Sequence, residues 1–350
     1  MRVVVTGASG NVGTSLLRAL ALDGDVREVL GLARRLPQLQ VPKTEWTRAD
    51  IRHDDLVRLF AGADVVVHLA WAIQPSRDEA ELRAINVDGS ARVFDAVARA
   101  GVPALVYASS VGAYSPGPKD RAVDESWPTD GIPTSFYARH KAEVERLLDR
   151  FEGEHPGVRS VRLRPGLIFK RESASEQRRL FGGPLVPGFL LRRELIPIVP
   201  DTPRLRFQAL HADDVAEAYR RAIVSDARGP FNVAAEPVLD PDRLAALLHA
   251  RKVPVPPRVL RAAAAITWRL RLQPTPEGWV DMGLAVPIMS TTRIRTELGW
   301  EERRSSEDAL MELLHGLREG AGTDTPPLEG GSSGPLRIKE FLTGIGSKNP

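Results

Sequence analysis

Tyr137 and Lys141, in the stretch YARHK, stand four residues apart. On a helix that spacing sets a phenol and an ammonium on one face within reach of each other, which is what a proton-transferring pair requires. It suits an ordinary surface pair equally well, and the spacing alone does not separate the two. The other tyrosines, Tyr107, Tyr114 and Tyr219, have no lysine at that spacing. A second candidate chemistry stands at the N-terminus, where TGASGNVG follows the apolar run RVVVT. At the start of a helix Gly7 permits a tight turn, Gly10 lets backbone N–H groups approach a pyrophosphate, and Gly13 lets helix and strand pack closely, with Ser9, Asn11 and Val12 completing the loop. About 20 residues past such a loop an NAD-binding chain is expected to carry a ribose-binding acid. Here Ala33 stands at that place and Arg34 and Arg35 follow. With no carboxylate there and guanidinium groups at hand for a 2′-phosphate, NADP is expected over NAD, although the two arginines also read as solvated loop charges.

These residues need a scaffold, and the first half of the chain supplies its pattern. Short apolar runs (RVVVT, VREVLGLA, TEWTRAD, ADVVVHLA, ALVYASS, VRSVRLRP) alternate with helical segments, among them VGTSLLRALA, a helix from Asp54, and EAELRAINVDGSARVFDAVARA. That rhythm argues an α/β fold, a doubly wound parallel sheet of the Rossmann type with helices on both faces. Residues 1–165 are expected to form the dinucleotide-binding domain, with returning segments at about 207–240. Residues 166–206 and 241–318 are expected to form a smaller mixed substrate-binding region. From about 319 to 350 the text GAGTDTPPLEGGSSGP has linker composition and is expected to be disordered. The stretch VLRAAAAITWRLRL, residues 259–272, combines an apolar face with arginines and would suit a membrane surface, but more often such a segment is an ordinary domain helix, and no function is assigned to it.

The composition excludes several classes. A chain of 350 residues, 43% hydrophobic, can bury a full core. Its 48 basic and 45 acidic residues leave a formal charge of +3, which gives no case for nucleic-acid binding. The absence of cysteine excludes disulfides, thiol catalysis and cysteine-ligated zinc. His211, Asp213 and Asp214 lack a second histidine at ligand spacing, so no metal is expected, and Asp213 or Asp214 is read as a helix cap. No apolar run approaches the ~20 residues of a membrane span, and the N-terminus passes directly into a strand; a cytoplasmic location without membrane insertion is the expectation.

Taken together, TGASGNVG, ADI at 49–51, VVHLA at 66–70, NVDGS at 86–90, YASSVGAY at 107–114, YARHK, RLRPG at 162–166, HADDVA at 211–216 and ELGW at 297–300 occur in the order seen in a known family. The chain resembles the extended short-chain dehydrogenase/reductases, the NAD-dependent epimerase/dehydratase family, from residue 1 to about 315. The resemblance implies a catalytic group of Ser110, Tyr137 and Lys141. It further implies that Asp50 and Ile51 contact the adenine, that Leu69 and Ala70 at the end of the strand from His68 face the cofactor, and that Asn86 orders the loops around it. His140 reads as a helix-face residue. A free phenol has a pKa near ~10, so service near neutrality needs about 4 kcal/mol of differential stabilisation. Lys141 and the positive nicotinamide are the expected sources, with Ser110 hydrogen-bonding the substrate oxygen.

The resemblance also bounds the reaction. Sugar-nucleotide dehydratases carry Thr-Asp-Glu where this chain has Ser110-Val111-Gly112, so dehydration is not expected. Cysteine-dependent epimerisation is excluded by composition. Arg206 lies out of the register in which sugar-nucleotide enzymes bind a diphosphate, and an apolar wall of Trp71, Ile73, Phe169, Phe181, Leu185 and Phe189 suits another substrate or, equally, a core. Trp71, Tyr114, Phe169 and Arg206 are the candidate substrate residues. The expected activity is ketone/secondary-alcohol oxidoreduction on a small molecule. The alternatives are a nucleotide-sugar 4-epimerase with tightly bound NAD and a non-catalytic cofactor sensor. A homodimer is the assembly considered.

Overall fold

The computed structural model describes residues 1–74, 76–182 and 197–329. Leu185, Phe189 and the segment LRIKEFL at 336–342 lie outside the described residues. Seven parallel strands form the central sheet: β1 (Arg2–Thr6), β2 (Glu28–Ala33), β3 (Thr44–Arg48), β4 (Val65–His68), β5 (Ala104–Ala108), β6 (Arg159–Pro165) and β7 (Gly229–Val233). Their spatial order is β3-β2-β1-β4-β5-β6-β7. Strand β1 shows why the apolar runs are continuous rather than alternating. Val3 and Val5 belong to one core cluster and Val4 to another, all fully buried, so both faces of the strand are covered.

Four helices make the principal covers. α1 (Asn11–Leu22) packs with residues of a later helix on the Val3/Val5 face; α2 (Gly89–Arg99) and α3 (Phe136–Glu154) contribute Phe94, Val144 and Phe151 to the Val4 face. The later helix is α4 (Ala212–Val224), whose Tyr219 and Ile223 are buried against α1. Because β1 pairs with both β2 and β4, the winding reverses there, and a crevice opens beyond the carboxyl ends of β1 and β4.

The smaller region stands beside this crevice. The strand Leu167–Phe169 pairs with Ala209–His211, and Ile198–Asp201 with Arg251–Pro254, over a separate core of Val199, Ala209, Leu239, Leu244 and Leu248. Among the helices that follow are α5 (Pro257–Arg269), α6 (Gly278–Ala285) and α7 (Ser306–Glu319). Within α5, Ala265 is the buried residue.

Three expectations need correction. Residues 292–300, assigned to the substrate region, pack instead into the main core: Ile294, Leu298 and Trp300 are buried there, and the Trp300 indole donates to the Asp214 carbonyl at 2.8 Å. The cap of α4 is His211, whose Nδ1 accepts from the Asp213 N–H at 3.1 Å, rather than either aspartate. The tail also does not become a linker at 319. Leu328 is fully buried, Gln38 N–H donates to the Asp324 carbonyl at 3.1 Å, Ser175 Oγ to Ala321 at 2.8 Å and Arg179 to Glu329 at 2.9 Å. Linker composition fails as a guide here because one buried leucine suffices as an anchor and the polar contacts are made by backbone carbonyls, which every residue carries. Among the described residues no helix is long and apolar enough to cross a membrane, and no cluster of three metal-ligating side chains occurs.

Candidate active site

The glycine loop follows β1 directly. Gly7 has φ +70°, and a Cβ there would lie 2.7 Å from Ala70 N; one at Gly13 would lie 2.5 Å from the Gly7 carbonyl. Substitution at either position is therefore excluded on steric grounds, and the backbone between Gly7 and α1 is left bare toward the crevice. Ser9 is nearly buried, Gly10, Asn11 and Val12 are half-buried, and Asn11 Oδ1 is buried without a partner. A bare backbone at a helix N-terminus, its N–H groups turned to the crevice, fits a dinucleotide pyrophosphate. Below the loop lies a residue the sequence did not reveal. Lys170 is almost wholly buried and donates to the Asn11 carbonyl and Thr14 Oγ1, both at 2.7 Å. Burial lowers its amine to about 8, opposed by the charge of Glu172.

The opposite lip of the crevice is the end of β4. His68 is buried between Thr6 Oγ1 at 2.7 Å and Ser90 Oγ at 2.9 Å, and burial, aided by the charge of Lys141, holds its imidazole at about 3. It is a neutral brace between β1 and α2. Leu69 N–H donates to the Thr6 carbonyl and Ala70 N–H to Thr6 Oγ1. Asn86, fully buried, clasps Ala72 through two hydrogen bonds of 2.8 Å, one to its N–H and one to its carbonyl.

At the end of β2, Arg34 and Arg35 are exposed. Although the residue is exposed as a whole, partial desolvation at the Arg34 guanidinium lowers its pKa, and the nearby Asp50 carboxylate opposes this. Asp50 itself is gripped by Arg52 at 2.7 Å, a hydrogen bond that, against burial, brings its carboxyl to about 2, and Arg52 also binds Glu81 at 2.6 Å. Arg52 is a third guanidinium at this end, two places past Asp50. Ile51 is largely buried beneath Gly89.

The candidate catalytic group converges between β5 and α3. Ser110 follows β5 and caps the short turn Val111–Ala113, its Oγ accepting from Gly112 N–H at 3.0 Å. Ser135 caps α3 and so places Tyr137 in its first turn. A Cβ at Gly112 would lie 2.9 Å from the Tyr137 ring, so glycine lets the phenol lie against the Ser110 turn. Burial raises the Tyr137 phenol above its usual value and the Ser110 hydroxyl lowers it. Lys141, one turn along, is buried; its Nζ donates to the Ala108 carbonyl at 2.6 Å and lies 3.5 Å from the Trp71 ring centroid. Burial drives its amine well below the usual lysine value, opposed by the Glu145 carboxylate.

Glu145, a further turn along α3, is fully buried beneath this group. It accepts from Ser109, from Arg162 at 2.8 Å and from Arg164 at 2.9 Å. Burial alone would raise its carboxyl, but the Arg164 bonds and the charges of both arginines prevail and set it at about 2. The network pins the residue next to Ser110 to the helix that carries Tyr137 and Lys141.

The substrate candidates separate. Trp71 meets the edge of the Tyr137 ring at 5.9 Å and carries the Lys141 ammonium on its face. Tyr114 is fully buried, bonded to Asn232 at 2.6 Å and Arg164 at 3.0 Å, and so belongs to the Glu145 network rather than to a substrate wall. Phe169 packs on the core of the smaller region. Arg206 is half-buried, with its carbonyl accepting from Lys119 at 2.7 Å. Phe181 does reach the site, through a residue the sequence reading missed: it packs 4.9 Å from Trp279 on α6, which in turn lies 5.0 Å from Tyr137. No local motif marks Trp279, because α6 is distant in sequence.

The winding, the glycine loop and the crevice define a dinucleotide-binding protein of the doubly wound class. The chain belongs to the NAD dependent epimerase/dehydratase family, whose model matches residues 3–234. An uncharacterized protein of Mycobacterium tuberculosis is 28% identical over 321 residues, 91% of this chain but 30% of that protein, so the chain spans less than a third of that relative's length. The 4-hydroxy-2-methyl-3-oxo-4-farnesyl-3,4-dihydroquinoline-1-oxide ketoreductase of Stigmatella aurantiaca is 30% identical over 171 residues, 48% of this chain and 51% of its own. Among solved structures, the UDP-glucose 4-epimerase of Thermus thermophilus in complex with NAD superposes with a TM-score of 0.64 at 22% identity, covering 91% of this chain and 99% of that one, a likeness of fold.

Proposed function

We propose that this chain is an NADP-dependent oxidoreductase that interconverts an apolar ketone and its secondary alcohol. The observation that carries the reading is the pairing of the Ser110–Tyr137–Lys141 group with walls of indole: Trp71 and Trp279 stand on either side of the reacting phenol. When bound, a nicotinamide dinucleotide supplies or takes the hydride. Ser110 Oγ donates a hydrogen bond to the substrate oxygen. Tyr137 delivers its hydroxyl proton to that oxygen in reduction and removes it in oxidation. Lys141 gives the positive charge that favours the phenolate left behind. Arg34, beside Asp50, is the group offered to a 2′-phosphate, while Arg52 is held by Asp50 and Glu81.

Two experiments test this reading. Titration of NADPH and NADH by nicotinamide fluorescence should favour NADPH, with Arg34→Ala weakening that cofactor alone; equal affinities sink the NADP assignment. In a panel of ketones, alcohols and nucleotide sugars, turnover should be confined to the first two, and Tyr137→Phe should abolish it while cofactor still binds. Interconversion of nucleotide sugars would instead establish the 4-epimerase. Near-full turnover by Tyr137→Phe refutes the catalytic assignment.

A further inference from the structure

Helix α5 is turned outward. Val259 is 50%, Ile266 56% and Leu270 64% exposed, and Leu272 just beyond the helix is 37% exposed. With Ala263, the first three recur at alternating steps of four and three residues, so they form one continuous row along the helix. A soluble surface scatters such residues singly; a row of them is a surface with a partner. Arg258 and Arg269 lie one residue to the side of Val259 and Leu270, and among the described residues neither forms an ion pair. Arg271 adds a third charge at the same end. Arg261, on the inner side, is spent on Asp281 of α6 at 3.0 Å.

We propose that the α5 row is a docking surface for an anionic lipid bilayer. Apolar side chains of moderate size flanked by guanidinium groups match the acyl boundary and the phosphate layer at once. A second copy of the chain fits less well, because a two-fold pairing of this face would bring Arg258 and Arg269 of one copy toward the like charges of the other. The position of the helix gives the docking a purpose. Arg77 lies over the Trp268 ring, 4.4 Å from its centroid, and donates to the Trp268 carbonyl. Gln74 donates to Pro274 at 3.3 Å and to Leu180 at 3.2 Å, next to Phe181. The turn after α5 is thus part of the rim around Trp71, Phe181 and Trp279. Docking presents that rim to the bilayer, and the substrate class that follows is a membrane-partitioned ketone or alcohol, a point that rests on the reaction proposed above.

The test uses the full chain and vesicles of phosphatidylcholine, alone or with one third phosphatidylglycerol, in a flotation assay without substrate. Binding should require the anionic lipid, weaken in raised salt, and fall roughly tenfold or more in Ile266→Glu. A paired Arg258→Glu, Arg269→Glu variant should lose the dependence on anionic lipid. NADPH titration of each variant confirms that the fold persists. Failure to float, equal binding to neutral vesicles, or binding indifferent to Ile266→Glu overturns the proposal. So does a stable dimer in sedimentation velocity that Ile266→Glu disperses, which would make the row an interface between copies. Failure of the parent chain to dock, with its Tyr137-dependent turnover retained, overturns this inference and spares the reaction; docking without turnover does the reverse.

Discussion

Replacing Glu145 by Gln tests the buried network beneath the candidate catalytic group with little change of shape. The two partners are not affected alike. Arg162 keeps Asp149 and Glu152, both at 2.7 Å, whereas Arg164, 4% exposed, keeps only the Tyr114 hydroxyl and the Glu125 carbonyl. The charge left uncompensated is therefore that of Arg164. Breaking a buried pair by removing one partner costs about 3–5 kcal/mol. The shift of the Glu145 carboxyl from 4.5 to about 2 gives about 3 kcal/mol by linkage, in accord with that range. Its sign is checkable. A depressed carboxyl contributes stability above pH 4.5 and loses it as pH falls through about 2, so the deficit of Glu145→Gln should be full at pH 7 and shrink in acid. Urea unfolding of parent and variant across that window measures it, and adding Arg164→Met should recover part of the loss. A deficit under about 1 kcal/mol at pH 7, or no recovery in the double variant, refutes the reasoning.

Burial lifts the half-buried Glu176 to about 7, against Arg179 and Lys170, so its folded pKa lies above the unfolded value. Stability should be greatest below pH 4.5 and decline by up to about 3 kcal/mol as pH rises through 7, a decline that Glu176→Gln abolishes in urea unfolding. Gly13→Ala should disrupt the loop, since its Cβ would meet two carbonyl oxygens at 2.5 Å; cofactor titration should register a loss of at least about tenfold. Truncation after Glu319 should lower the melting temperature because it removes Leu328 and the bonds to Gln38, Ser175 and Arg179, whereas truncation after Glu329 spares them. Ser110→Ala should slow turnover by about 10²–10³, as for loss of one donor to a developing oxyanion.

The parts of the fold legible in the sequence are those in which local pattern and tertiary demand coincide. RVVVT must be buried on both faces to be apolar at every place, and Gly7 and Gly13 stand where any side chain collides, so strand, loop and crevice all follow from one short stretch of chain. Tyr137 and Lys141 were legible because helical spacing is local. What lay beyond reach is what distant segments bring. Trp279 comes to Tyr137 from far along the chain, and Lys170 reaches the glycine loop from the end of a different strand. Tyr114 differs for the opposite reason: it stands in the family motif, yet its hydroxyl is consumed by Arg164 and Asn232 rather than left for a substrate. Composition misled in the tail, where polar and small residues dock through their backbone.

The docked segment from Ala321 to Glu329 has a kinetic meaning. It is fastened at one point to Gln38, on the loop leaving β2, and at others to Ser175 and Arg179, on the helix that follows Leu167–Phe169. The segment thereby ties two stretches more than a hundred residues apart, and any movement of one against the other has to stretch it or break a carbonyl contact. Opening at that tie is expected to be governed by the lifetime of a few backbone hydrogen bonds rather than by side-chain packing alone. A single proteolytic nick in this stretch should leave the tied residues in place and still free them to move apart.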